Sequence, residues 1–317
     1  MKRLPIKNRI LLLLTFSCML NSVKAQTDID GIMMEKNGFC VGPMYGYSSW
    51  KNYWEGTLKR ENLNLGTVST SMFSIMGNYG INNKLNVMFG LPYIKTTASA
   101  GQLQGMRGVQ DLSFWVKWKA YSKKMGEGRL SLFAIGGYSF PISDYTADFL
   151  PMSIGLESKN LSVRGMADYQ MDKWFATASA TYIRRSNIKL DRTAYYTTEM
   201  HYTNEVKMPD AASFNIRFGY RNNGIIAEAV ADNWTTMGGF DITRNNMPFA
   251  SNRMNATKVG FNIKYPMKFH SQLSLVGSAM TTVAGRNVGQ STGFNAAIFY
   301  VFDLSPKKKT DSDKSKK

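Results

Sequence analysis

Apolar and polar residues alternate along most of the chain, in segments of about 10 to 14 residues. In one of these segments Leu85, Val87 and Phe89 share one phase, and Asn86 and Met88 share the other. Side chains of a β-strand point alternately to opposite faces, so this period of two predicts strands with one apolar face. We place twelve strands at residues 40–53, 69–81, 84–97, 109–121, 129–141, 160–171, 174–186, 211–222, 225–234, 255–266, 271–283 and 292–303.

The lengths of the connections between these strands also alternate. Every second connection is short, and these turns include Asn82-Asn83, Asp172-Lys173 and Asn223-Gly224. The others are longer, and three run to about twenty residues, at 142–159, 187–210 and 235–254. Outer-membrane barrels place tight turns at one rim and long loops at the other, whereas a soluble β-sandwich has no reason to do so. The pattern therefore predicts an all-β fold, a twelve-stranded antiparallel up-and-down transmembrane β-barrel.

The Asn223-Gly224 turn also predicts a register. A two-residue type I′ turn would pair Asn222 with Ile225. The pairs Tyr220 with Ala227, Phe218 with Ala229 and Ile216 with Ala231 would then share the apolar face, and Gly219 would lie opposite Glu228. Apolar residues meet apolar ones throughout this hairpin, which favours the assignment.

The two ends of the chain differ from the strands in composition. Residues 1–25 have a basic start, an eleven-residue apolar run at 10–20 and the sequence Val23-Lys24-Ala25, which is typical of a signal peptide cleaved after Ala25. Residues 305–317 contain six lysines and no apolar side chain, which predicts a disordered tail. Between them we expect a short periplasmic segment at 26–39 and the barrel at 40–304.

The positive charge of the chain is concentrated at these ends. The signal peptide carries five of the net +17 charges and the tail carries four more, so the body retains +8. Export and the even spread of this remaining charge argue against nucleic acid as a partner. We expect the outer membrane as the location, with outer-membrane lipid, a small-molecule solute and, during biogenesis, the barrel-assembly machinery as partners.

Residues suited to catalysis or to metal binding are scarce. Cys40 is the one cysteine after the predicted cleavage site, and His201 and His270 are the two histidines. No dinucleotide fingerprint, Walker loop or zinc-type spacing is present. A serine hydrolase needs a histidine within reach of the nucleophile, and no serine neighbours His201 in the sequence. We therefore predict no catalytic residue, no metal, no cofactor and no enzymatic activity.

Charged strand residues fall almost entirely on the phase opposite to the apolar one. If the apolar phase faces lipid, this phase lines the lumen, which should be narrow in a barrel of twelve strands. The predicted lumen-lining residues are Asp111, Lys117, Lys119, Arg129, Arg164, Asp168, Arg217, Arg221, Glu228, Asp232, Lys258 and Lys264. Two interpretations remain open: opposite charges on neighbouring strands brace the wall, or the excess of basic residues selects an anionic solute.

Two stretches carry a resemblance to a known family. They are residues 86–93 (NVMFGLPY) and residues 108–112 (GVQDL), which lead into WVKW at 115–118. Both resemble strands of the meta-pathway of phenol degradation family of outer-membrane transporters, which is distantly similar to the long-chain fatty acid transporters. The resemblance implies uptake of hydrophobic or aromatic small molecules. Fatty acid transporters carry a sizeable N-terminal hatch, whereas only residues 26–39 precede the first strand here.

Together these observations predict an outer-membrane channel or transporter for a small hydrophobic or amphipathic solute. The alternative is a non-conducting surface barrel whose extracellular loops bind a partner or ligand. These two hypotheses differ in whether the lumen offers a path for solute.

Overall fold

The computed structural model describes residues 27–242 and 248–306. The predicted signal peptide and residues 307–317 of the lysine-rich tail lie outside the described residues. Within this part of the chain, no helix has the length and apolar character needed to cross a membrane.

Twelve long antiparallel strands form one closed barrel. They are β1 (Gly38–Trp50), β2 (Val68–Asn82), β3 (Leu85–Ala98), β4 (Asp111–Met125), β5 (Gly128–Pro141), β6 (Asn160–Met171), β7 (Trp174–Arg185), β8 (Ala211–Asn222), β9 (Ile225–Thr236), β10 (Asn255–Pro266), β11 (Leu273–Arg286) and β12 (Thr292–Asp303). Each strand pairs with its neighbours in sequence, and β1 also pairs with β12 from Gly38↔Asp303 to Ser49↔Thr292. Ring closure leaves the barrel without a free sheet edge, and the predicted fold is confirmed.

The hairpin between β8 and β9 has the predicted register. Asn222 pairs with Ile225, and Gly219 pairs with Glu228. Asn223 and Gly224 have φ values of +48° and +80°, the left-handed conformation that a type I′ turn requires at both positions. The alignment of apolar with apolar residues across this hairpin is therefore set by two turn residues.

Exposure along the strands is the reverse of that in a water-soluble protein. On β8, Phe214, Ile216 and Phe218 are 52, 61 and 58 % exposed, whereas Asn215 and Arg217 between them are each 6 % exposed. Large apolar side chains on the outside would be costly in water but are stable against lipid tails. The alternation thus turns apolar side chains outward and polar ones into the lumen.

Five turns lie at one rim, the turn side, and the long connections lie at the other, the loop side. The structure differs from our prediction at the β4–β5 turn, which we placed at residues 122–128. The two strands continue to Met125 and Gly128, and Gly126, with φ of +62°, and Glu127 form the turn. The residues added to β4, from Ser122 to Met125, are all exposed, so lipid-facing alternation does not mark them.

Seven short strands lie on the loop side. They are Asn52–Glu55 with Leu58–Glu61, Arg107–Val109 beside β3, Ile188–Lys189 with Glu205–Val206, and Tyr195–Tyr196 with Met200–His201. Three long loops also pack together around one buried apolar cluster. We call this cluster the loop cap, and its residues are Ala147, Ile188, Leu190, Tyr195, Val206, Met208, Phe249 and Ala250. The long loops are therefore folded structures with an apolar core of their own.

Residues 27–36, which we call the N-terminal segment, lie inside the barrel. We expected residues 26–39 to form a short periplasmic segment; the structure places residues 27–36 in the lumen, and β1 begins at Gly38. Ile32, Met33 and Met34 are at most 9 % exposed because each packs against inward-facing residues of the wall. The physical reason is that three consecutive apolar side chains gain more from burial in the lumen than from contact with water.

Candidate functional site

Strands β8, β9 and β10 carry charges that pair with one another across the wall. Arg217 forms a buried salt bridge with Glu228, and its Nε donates to Asn215 at 2.9 Å. Asn262 donates to the same carboxylate at 2.7 Å, and Asn215 donates to Asp232 at 2.9 Å. Every partner in this network belongs to the wall. We call it the braced region of the lumen.

A second pair of this kind connects β8 with β6. The Nη1 atom of Arg221 lies 3.3 Å from Asp168 and donates to Gln170 at 3.1 Å. The guanidinium also lies 3.9 Å from the centre of the Phe175 ring, a cation–π contact. Thr177 donates to Asp168 at 2.6 Å. This pair is also held by wall residues.

Lys117 on β4 depends on the N-terminal segment. Its side chain is fully buried, and its ammonium donates to Thr27 O at 3.1 Å, to Asp30 O at 2.5 Å and to Asp30 Oδ1 at 3.1 Å. The Asp30 carboxylate is fixed in turn by the backbone N–H groups of Thr27 and Ile32. A buried ammonium needs such partners, and all three hydrogen bonds come from the segment.

Arg164 on β6 binds the segment in a similar way. Its Nη1 donates to Asp28 Oδ2 at 2.7 Å and to Asp28 O at 3.1 Å. Its Nε donates to Thr181 Oγ1 on β7 at 2.7 Å. The guanidinium is therefore oriented by the wall and neutralised by the segment. We call Lys117 and Arg164 the segment-bound cations.

Two glycines permit close approach of the segment to the wall. A Cβ on Gly80 would lie 2.0 Å from Glu35 O and 3.0 Å from Met34 O, and Asn37 N donates to Gly80 O at 2.8 Å. A Cβ on Gly31 would lie 2.1 Å from Asp168 Oδ1. Neither position accepts a side chain without displacement of its neighbours.

Cavities remain in the barrel on both sides of the N-terminal segment. The loop-side cavity, of about 610 Å³, has its floor at residues 27–30 of the segment. Met44, Met72, Met76 and Ile94 line this cavity from β1, β2 and β3, Met280 lines it from β11, and the braced region lines it from β8, β9 and β10. The cavity is thus apolar on one side and charged on the other.

The turn-side vestibule, of about 770 Å³, opens between the tight turns beneath the segment. It is bordered by Asn83, Asp172 and Asn223 of the turns and by Lys36 of the segment. A smaller cavity of about 330 Å³ lies beneath the loop that contains Gly155, beside inward-facing Trp115. The N-terminal segment separates the turn-side vestibule from the loop-side cavity.

The predicted lumen-lining residues are distributed among these spaces. Arg217, Arg221, Glu228, Asp232, Lys258 and Lys264 border the loop-side cavity, Lys119, Arg129, Asp168, Arg221 and Lys264 border the turn-side vestibule, and Asp111 borders the smallest cavity. Lys117 and Arg164 contact the segment instead. Asp111 accepts a hydrogen bond of 2.6 Å from Tyr145, which lies in a loop on the loop side. Burial of Tyr145, together with its contact with the Asp111 carboxylate, raises the pKa of Tyr145.

Sequence reasoning missed the residues of the N-terminal segment and the inward-facing Met44, Met72, Met76 and Met280, which we call the methionine wall. Asp28 and Asp30 precede Ile32, Met33 and Met34, an apolar triplet in a stretch too short to show a period. That triplet could have indicated burial. The inward methionines fall on the polar phase, where we expected charges, so the alternation pattern concealed them.

Both histidines lie beside tyrosine rings. His201 stacks on Tyr195 at 4.8 Å between ring centres, and its Nε2 lies 2.9 Å from Thr197 Oγ1. His270 lies beside Tyr300. In residues 27–242 and 248–306, no group of three potential metal ligands is found.

The fold is similar to that of solved barrels. An outer membrane channel from Pseudomonas putida F1 matches with a TM-score of 0.69 at 14 % identity, over 88 % of this chain and 99 % of that chain. The translocator domain of the autotransporter NalP from Neisseria meningitidis matches with a TM-score of 0.43 at 8 % identity, over 94 % and 95 % of the chains. No family model and no curated protein matches the sequence. At this identity the first match shows the fold, a barrel of the outer-membrane type.

Proposed function

We propose that the protein is an outer-membrane channel or transporter for a small hydrophobic or amphipathic solute. The solute enters from the loop side, occupies the loop-side cavity and leaves through the turn-side vestibule once the N-terminal segment has moved. The predicted location in the outer membrane, the contact with its lipid, removal of residues 1–25 and insertion by the barrel-assembly machinery belong to the same proposal.

The observation that carries this proposal is the two-sided loop-side cavity. Its volume of about 610 Å³ falls within the range of small-molecule sites. Methionine side chains are flexible and polarisable, so the wall formed by Met44, Met72, Met76 and Met280 can adapt to differently shaped apolar groups. The charged wall opposite can hold a polar group of the same molecule. Further support comes from the matched fold of a Pseudomonas putida outer membrane channel.

Removal of the segment tests whether the lumen conducts. In planar bilayers, we expect a variant that lacks residues 27–34 to conduct ions steadily and the unchanged protein to conduct rarely. Liposome swelling with solutes of increasing apolarity then tests flux. A closed lumen in the deletion variant, together with no flux of any solute, would contradict the proposal.

Two single substitutions provide a milder version of this test. Gly80→Ala places a methyl group against the backbone of the segment, whereas Gly136→Ala adds one on the lipid face, where no atom lies within 4 Å. We expect Gly80→Ala to open more often than the unchanged protein, and Gly136→Ala to open as often as the unchanged protein. Equal behaviour of the two would mean that the segment does not close the path.

The loop cap favours a second candidate, a non-conducting surface barrel that binds a partner through its loops. Residues 142–159, 187–210 and 248–250 contribute to one buried cluster, so the loops offer a fixed surface. This candidate expects that replacement of residues 190–206 by a short linker abolishes binding of a surface ligand while the segment deletion still fails to conduct.

A further inference from the structure

The segment-bound cations differ from the other paired cations of the lumen in where their partners come from. Arg217 and Arg221 pair with Glu228 and Asp168, which are fixed in the strands. Lys117 and Arg164 pair with Asp30 and Asp28, which are not. If the segment leaves, two cations remain in the wall without carboxylate partners.

These two cations are positioned to bind an anion. Arg164 keeps its hydrogen bond to Thr181, so the wall continues to orient its guanidinium. Lys117 Nζ lies 5.5 Å from the centre of the Phe133 ring, which limits the positions of the ammonium. Buried cations with a fixed orientation bind carboxylates strongly because the hydrogen bonds are charge-assisted.

A solute in the loop-side cavity meets the carboxylates that cover the two cations, and it reaches the cations once those carboxylates move. Asp28 and Asp30 border the floor of that cavity, so a molecule that fills the cavity contacts the carboxylates that hold the segment in place. Its anionic group can compete with them while its apolar part lies along the methionine wall. When an internal carboxylate competes with a ligand, the apparent affinity equals the intrinsic affinity multiplied by the fraction of time that the site is free.

We propose that the solute carries an anionic group of the carboxylate type, and that this group binds Lys117 and Arg164 in the places of Asp30 and Asp28. The N-terminal segment is then an internal competitor of the solute. This inference rests on the proposed function, since it assumes that solute enters the lumen.

Binding of benzoate and benzyl alcohol to the purified full-length protein, measured by calorimetry, tests the inference. The two probes differ in charge and have a similar size. We expect the Asp28→Asn/Asp30→Asn variant to bind benzoate at least about tenfold more tightly than the unchanged protein, because the internal competitor is weakened. Benzyl alcohol should bind both proteins alike.

Further substitutions in the Asp28→Asn/Asp30→Asn protein identify the site. Lys117→Met and Arg164→Gln should each weaken benzoate binding by about tenfold or more, because each removes a charged partner. Arg129→Gln, which removes a cation of the turn-side vestibule, is the control and should change the affinity less than about twofold. Circular dichroism verifies that each variant is folded. If Lys117→Met does not fold, Arg164→Gln alone tests the site.

Three results would overturn the inference: equal affinity for the two probes, benzoate affinity independent of Asp28 and Asp30, or an effect of Arg129→Gln as large as that of Arg164→Gln. Because binding is measured without flux, the outcome is separable from that of the conductance experiments. Benzoate binding without conductance would refute transport alone, and flux without charge-dependent binding would refute this inference alone.

Discussion

The two charged regions of the lumen are built in opposite ways. In the braced region, Arg217 and Glu228 are held by neighbouring strands and satisfy each other. The segment-bound cations Lys117 and Arg164 receive their carboxylates from a piece of chain that belongs to no strand. The first region would be unchanged if the N-terminal segment moved, whereas the second would lose its neutralising charges.

The two kinds of ion pair should have different effects, one on the stability of the barrel and the other on the closure of its lumen by the segment. Ion pairs within the wall link strands that the backbone ladder already joins, so they contribute to the stability of the barrel. Ion pairs with the segment contribute to the position of the segment, because the barrel is closed by β1 and β12 without it. Substitutions in the two regions should therefore affect different measurements.

Glu228→Ala should have the largest effect on stability. It leaves Arg217 buried without its carboxylate, and loss of one partner of a buried pair costs about 3–5 kcal/mol. Denaturant unfolding in lipid vesicles measures this change. The double variant Arg217→Met/Glu228→Ala should recover most of the loss, since no charge is then left unpaired. Unfolding at the same denaturant concentration as the unchanged protein would mean that lumen water solvates Arg217.

Lys117→Met should have a smaller effect on unfolding and a clear effect on closure. The change leaves Asp30 without its cation, but the segment that carries Asp30 can move and expose this carboxylate to water, so we expect the free energy of unfolding of the barrel to change by less than about 1.5 kcal/mol. The segment loses three hydrogen bonds, and the open fraction in planar bilayers should rise. Lys258→Met is the control, with no expected rise. A loss of stability as large as that of Glu228→Ala would remove the distinction between the two regions.

The sequence predicted the barrel because lipid imposes a strict pattern. Residues such as Phe214, Ile216 and Phe218 must all point outward, and the Asn223-Gly224 turn leaves one register for them. The position of the β4–β5 turn was not predictable in the same way. The strand ends near Lys123 extend beyond the alternating segment, so no lipid-facing pattern marks their length.

The candidate site was predicted in part. Charged residues such as Arg217 and Lys117 fall on the inward phase, which placed them among the lumen candidates. Their partners depend on tertiary structure: Asp30 is 87 residues from Lys117 in sequence, and no local pattern joins them. The loop cap is similar, since Tyr195 and Phe249 meet from two separate loops, with ring centres 5.4 Å apart.

Thr181→Val should have the smallest effect and tests how the wall contributes to closure. The substitution keeps the size of a buried side chain and removes the hydroxyl that accepts a hydrogen bond from Arg164 Nε at 2.7 Å. A hydrogen bond to a charged group contributes about 1.5–3 kcal/mol, but water or the segment can replace part of this one. We therefore expect a rise of about fivefold in the open fraction, equivalent to about 1 kcal/mol.

Thr282→Val is the matched control, because Thr282 is also buried and its hydroxyl lies 3.1 Å from Ser291 Oγ, away from the segment. It should leave the open fraction unchanged. If both variants open equally, a general loosening of the wall accounts for the effect. If Thr181→Val alone opens the barrel, then Arg164 must be oriented by the wall before it can hold Asp28, and closure depends on a hydrogen bond between two strands of the wall.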